Sequence, residues 1–201
     1  MNTDSVLHAY QMIPLNVAGY ILGAMLVVTH TAGLLGGDKA RAFVKASPRN
    51  DLLAQITLAI GFIWFFLLIG PEDKGIFSSL RVELAEFEGI RTILQLACPV
   101  FFILLVTQVK ELLFARALGF LGLMTAAPFL TAAFLKDPST RLLIPIWGYA
   151  LIACSLIWIA KPYVYRNMVD WATATAGRWK LLCMGGLSYG IAVLTCAWLW
   201  W

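Results

Sequence analysis

Apolar residues run along this chain in six long blocks, about 13–36, 52–70, 91–109, 117–135, 142–160 and 181–200, and the stretches between them hold nearly all of the charge. Each block is close to the ~20 residues with which a helix crosses ~30 Å of hydrocarbon. None alternates apolar and polar positions as a membrane strand does. Hydrocarbon offers no water to an open amide, so each segment must pair its own backbone, and the blocks predict helices. The expected fold class is all-α: a polytopic integral membrane protein, a six-helix transmembrane bundle forming a single domain over 1–201. The connections are too short to add a soluble domain.

The connections carry patterns of their own. Residues 71–90 place Phe77, Leu80, Leu84 and Phe87 on one helical face, with Glu83 and Glu86 turned away. Such a helix lies on the membrane surface or caps the bundle. Glu83-x-x-Glu86 reads as a solvated acidic face, since no histidine stands beside it to complete a metal or acid–base site. Residues 161–180 carry an apolar stripe of Val164, Met168, Trp171 and Ala174, with Arg166 and Asp170 as an i,i+4 pair on a different face. In 37–51, Asp38 is the expected N-cap, Ala40, Phe43 and Val44 share one side, and Pro48 is the stop. These three segments are the expected short amphipathic interfacial helices. Arg41-x-x-Val44 and Arg166-x-x-Val169 each open a basic connection that leads to a Leu-Leu pair (Leu52-Leu53, Leu181-Leu182), a faint similarity between the first and last hairpins.

Composition sharpens the class. Apolar residues make up 61% of the 201 and charged residues 13%, with a mean hydropathy of +0.81. A soluble fold lacks the polar groups to cover that surface, so soluble domains, disordered chains and nucleic-acid-binding modules are excluded. The net charge of +4 is then mainly an orientation signal. Ten of the fifteen basic residues (Lys39, Arg41, Lys45, Arg49, Lys110, Arg116, Lys161, Arg166, Arg178, Lys180) fall in alternate connections. The other side holds Lys74, Arg81, Arg91, Lys136 and Arg141 with most of the acids: Asp4, Glu72, Asp73, Glu83, Glu86, Glu88 and Asp137. The positive-inside rule predicts both termini outside. Trp64, Trp147, Trp198, Trp200 and Trp201 then form an outer aromatic belt, and Trp158, Trp171 and Trp179 an inner one.

No Lys or Arg precedes Lys39, so the pattern of a signal or transit peptide is missing and the first block is expected to remain as an anchor. No lipidation motif appears. The expected location is a plasma membrane of the bacterial inner-membrane type. There Lys39, Arg41, Lys45, Arg49, Lys161, Arg166, Arg178 and Lys180 face the cytoplasmic leaflet and its anionic lipids. A protein partner docking on the same residues fits equally well.

Candidate chemistry is sparse. No Asp, Glu, Lys or Arg occupies the middle of a block, which counts against ion-coupled transport and against an intramembrane hydrolase with paired acids. Cys98, Cys154, Cys183 and Cys196 all lie in apolar stretches without a CxxC, so neither a disulfide framework nor a zinc or iron–sulfur site is expected. No metal or other cofactor is expected either. His30 is the one histidine within a block, since His8 lies in the outer tail, and this separation disfavours bis-histidine haem ligation. His30 is expected to hydrogen-bond to a neighbouring helix. Pro99, Pro128 and Pro145 free the carbonyls of Gln95, Met124 and Arg141. With Gln95, Thr125 and Thr131 they outline an outward-facing polar pocket, although packing bends alone also account for them. The ligand or pore candidates are therefore His30, Gln95, Thr125 and Thr131. Gly19-x3-Gly23 and Gly186-x3-Gly190 are close-approach faces, suited to packing spans 1 and 6 together or to self-association.

The expected role is a non-catalytic accessory or scaffold subunit of a membrane complex, its partner another protein or a second copy. The next reading is a facilitator or channel for a small neutral or lipophilic solute, built on the proline-kinked outer half. The last is a lipid- or quinone-interacting enzyme at the inner interface, resting on His30, Arg41, Arg166 and Tyr163 or Tyr165. No nucleophile–base pair or metal cluster supports it, and no catalytic residue is assigned.

Overall fold

Proline, glycine and capping side chains punctuate the chain, and several helices of the computed structural model begin or break on them. It describes residues 8–70, 80–82, 89–109 and 111–201, and every regular element among these is helical. Helix α1 (Leu15–Ala46) starts behind Pro14 and kinks at Gly37, whose φ of 49° and ψ of −121° suit only glycine. The segment after the kink opens with an exposed Asp38–Arg41 ion pair at 3.0 Å. A 3-10 turn, Ser47–Arg49, ends it at Pro48, and the Asn50 side chain then accepts from the Leu53 amide to cap α2 (Asp51–Leu68).

Helix α3 (Arg91–Gln108) contains Pro99, and α4 (Leu113–Ala133) contains Pro128. Pro145 differs from expectation. Helix α5 (Leu143–Ala160) begins just two residues before it, so that proline removes no hydrogen bond from the ladder. Helix α6 (Pro162–Thr173) opens on proline, and α7 (Ala176–Leu199) is capped by the Thr175 hydroxyl, which accepts from the Arg178 amide. Helix α7 starts well before residue 181, and so draws Arg178 and Lys180 into a helix. Among the described residues, six helices are long and apolar enough to cross a membrane.

Helix α4 lies at the centre and packs on α5, α2 and α6, while α1 and α7 lie together along their length. One core joins Leu22 and Leu26 of α1 to Phe129 of α4, Ile144 of α5 and Val193 of α7. A second joins Ala54 and Leu58 of α2 to Leu113 and Ala117 of α4, with Phe102 of α3 against it. A third surrounds Tyr165 and Val169 of α6 with Ala115, Phe114 and Val44. Val44 and Val169, the matching positions of the two similar connections, thus meet in one cluster.

Two expected apolar faces are corrected. Helix α6 packs through Tyr165, Val169 and Thr173, whereas Met168 and Trp171 are exposed. Arg178 lies over the Trp171 ring, 5.2 Å from its centroid. Beyond Gly37, Ala40 and Val44 are half-buried but Phe43 is 60% exposed. In both segments the packed residues recur every four positions and the remaining apolar ones point away. The expected helix of residues 71–90, with Phe77, Leu84, Phe87, Glu83 and Glu86, lies outside the described residues apart from its neighbours near Leu80.

Candidate functional site

The polar side chains of the apolar blocks act mainly on backbone carbonyls. His30 Nδ1 stands 2.7 Å from the Leu26 carbonyl of its own helix. A carbonyl only accepts, so Nδ1 carries the proton. The expected bond to a neighbouring helix is absent; the His30 ring instead packs on Gly186 of α7, where a Cβ would otherwise stand. The Thr125 hydroxyl donates to Leu121 O at 2.8 Å and that of Thr131 to Ala127 O at 2.9 Å, both within α4.

Gln95 is committed elsewhere. Its amide donates to Ile69 O at 2.6 Å, just past the end of α2. One turn earlier on α3, Arg91 donates to Gly70 O at 3.1 Å and to Val82 O at 2.7 Å. Arg91 is only 7% exposed, so this guanidinium belongs to the structure rather than to the solvated loop charge. The Val82 amide returns to Leu68 O at 2.9 Å, and the His8 ring reaches Leu80 O at 3.0 Å. Trp64 Nε1 donates to the Tyr10 hydroxyl at 2.6 Å. Burial pushes the Tyr10 phenol above its usual range, with the Trp64 bond acting against that shift. Sequence reasoning missed Arg91 because it counted it among the outer loop charges. The available signal was its i,i+4 spacing from Gln95 at the start of a block. Hydrogen bonds of Gln95, Thr125, Thr131 and His30 therefore run to different places.

The basic end is where charged side chains from separate elements converge. Lys45 and Arg49 from the end of α1 and its 3-10 turn, Asp51 from α2, and Arg166 and Asp170 from α6 line a cleft of about 760 Å³. Arg166 and Asp170, the expected i,i+4 pair, both face it without forming an ion pair. The only ion pair among the described residues is Asp38–Arg41. Arg166 instead reaches Asn167 Oδ1 at 3.4 Å. Lys39, Lys161 and Lys180 are exposed, and Arg178 sits on Trp171.

Beneath the cleft the Ser47 hydroxyl donates to Val44 O at 2.7 Å and lies 3.3 Å from the Tyr165 hydroxyl, which leaves Tyr165 as donor in that buried contact. Burial pushes the Tyr165 phenol up, with the Ser47 bond acting against it. This contact ties α6 to the Ser47–Arg49 turn, and the Asn50 cap fixes the start of α2, so the walls of the cleft are held independently of any ligand.

Two other features lie outside this cleft. Ser155 Oγ, on a fully buried residue of α5, is pressed against Gly122 of α4 and has no hydrogen-bond partner, and neither has Trp158 Nε1. Phe62, Phe66, Cys98, Pro99 and Phe102 line an apolar groove of about 400 Å³ between α2 and α3. Among the described residues no group of three or more His, Cys, Asp or Glu side chains is arranged to hold a metal ion. No protein-family model matches the chain, and no curated protein or solved structure is detectably similar to it.

Proposed function

We propose that the chain is a multi-pass protein of a bacterial-type inner membrane, with both termini outside, and that it serves as a non-catalytic accessory or scaffold subunit of a membrane complex. The observation that carries this reading is the state of α3. Arg91 and Gln95 fasten one end to α2 and to Val82, and only Arg91 and Cys98 of the helix are buried. Ile93, Leu96, Val100 and Ile103, at helical spacing, form an uncovered apolar stripe. A membrane helix anchored by polar bonds at one end and packed on its neighbours along one side offers a partner a rigid face without opening its own core. The intramembrane polar groups support the same role, since their hydrogen bonds hold helices and turns in place.

The test is a photo-crosslinking residue in place of Val100, activated in native membranes. The accessory role predicts one protein adduct of defined mass at Val100 and none at Ile21, which is exposed on α1. Lipid adducts alone at both positions would overturn it and return weight to a solute facilitator.

A further inference from the structure

We propose that the cleft at the basic end binds the headgroup of an aminophospholipid, its phosphate against Lys45, Arg49 and Arg166 and its ammonium against Asp51 and Asp170. This rests on the membrane reading of the chain but not on the accessory role. Three cations and two carboxylates, from four elements, line one space, and no two of them form an ion pair. Both signs of charge therefore remain available to a ligand. A purely anionic group would meet two carboxylates, and a simple cation would meet three positive side chains. A phosphate with a primary ammonium two carbons away satisfies both sets, and its N–H groups give the carboxylates charge-assisted hydrogen bonds.

The setting favours a lipid as the source of that chemistry. Exposed apolar residues adjoin the charges on each wall: Phe43 before Lys45, Leu52 and Ile56 after Asp51, and Met168 between Arg166 and Asp170. The cleft thus opens where charged and apolar surface meet, which is the level of headgroups. Acyl chains would run along the Leu52 and Ile56 face of α2. The walls are set in advance by the Tyr165–Ser47 contact and the Asn50 cap, so little ordering opposes binding.

The full-length protein in detergent micelles, titrated by native mass spectrometry with phosphatidylethanolamine, phosphatidylglycerol and phosphatidylcholine of identical chains, tests this. Phosphatidylethanolamine should bind about tenfold or more tighter than either of the others, because one is without the ammonium and the other without its N–H donors. Arg49→Gln with Arg166→Gln should remove that preference. Asp51→Asn with Asp170→Asn should invert it toward phosphatidylglycerol, a gain that a misfolded protein cannot show. Free phosphoethanolamine at the same concentration should leave the lipid bound. Equal binding of the three lipids, a parent preference for phosphatidylglycerol, an unaltered preference in either double variant, or displacement by the free headgroup would each overturn the assignment.

Discussion

The α1–α7 seam and the α2–α3 edge join helices of similar hydropathy in different ways. At the seam the backbones approach until no Cβ fits. A Cβ on Gly23 would stand 2.6 Å from Leu194 Cγ and 3.0 Å from the Gly190 carbonyl, and one on Gly190 would stand 2.9 Å from Leu26 Cβ and 3.1 Å from the Val27 amide. Trp179 Nε1 adds a bond to Gly33 O at 2.9 Å. At the edge, only Arg91 and Cys98 of α3 are buried; Phe102 packs edge-on against Phe62 of α2, and polar bonds fasten one end. Hydrocarbon gives apolar helices no solvent-driven reason to associate, so close packing and polar bonds are the means that remain. The seam draws mainly on close packing and the edge carries more of the polar bonds, so the two are held in different proportions.

The largest expected effect comes from breaking the seam. Gly190→Val forces a branched side chain against the α1 backbone and should destabilise the protein by about 3 kcal/mol, read as denaturant-induced unfolding in micelles. Gly186→Ala should cost less, because a side chain rather than backbone opposes it, and His30→Ala in the same chain should restore much of the loss. A Gly190→Val protein as stable as the parent would remove the seam from the comparison.

The edge should respond more locally. Arg91→Met leaves the carbonyls of Gly70 and Val82 without that donor and should cost about 2 kcal/mol. Amide hydrogen exchange should rise around the end of α2 and the start of α3 while the seam stays protected. A uniform rise across all helices would mean that α3 is no separate unit.

The basic end gives the smallest effect. Burial raises the Tyr165 phenol, so the folded state keeps its proton beyond the pH at which the unfolded chain releases it. The associated stability is complete below the usual tyrosine range, near pH 10, and is lost as pH climbs from there through the folded value. Tyr165→Phe should make the fall of melting temperature across that alkaline window shallower than in the parent. Parallel curves would place the titration elsewhere.

The positions of the helices were legible along the chain because their causes are local. Backbone pairing within an apolar segment, Asn50 and Thr175 as caps, Pro162 as a first residue and Gly37 as a break all act within a few positions. Gly23 and Gly190 were legible too, since a missing side chain is the means of close approach. Which faces turn inward was not. A membrane helix is apolar on every side, so the contrast that marks the buried face of a soluble helix is weak. On the short amphipathic α6, apolar residues stand on more than one side, and the bundle takes Tyr165, Val169 and Thr173 while Trp171 stays outside. Long polar side chains were equally open: Gln95 and Arg91 reach whichever carbonyl the neighbouring helix brings within range. The meeting of Lys45, Arg49, Asp51, Arg166 and Asp170 likewise depends on α6 packing beside the end of α1. Local sequence determines where this chain is helical. Only the tertiary arrangement decides which distant charges share a cleft, because that rests on contacts between segments more than a hundred residues apart.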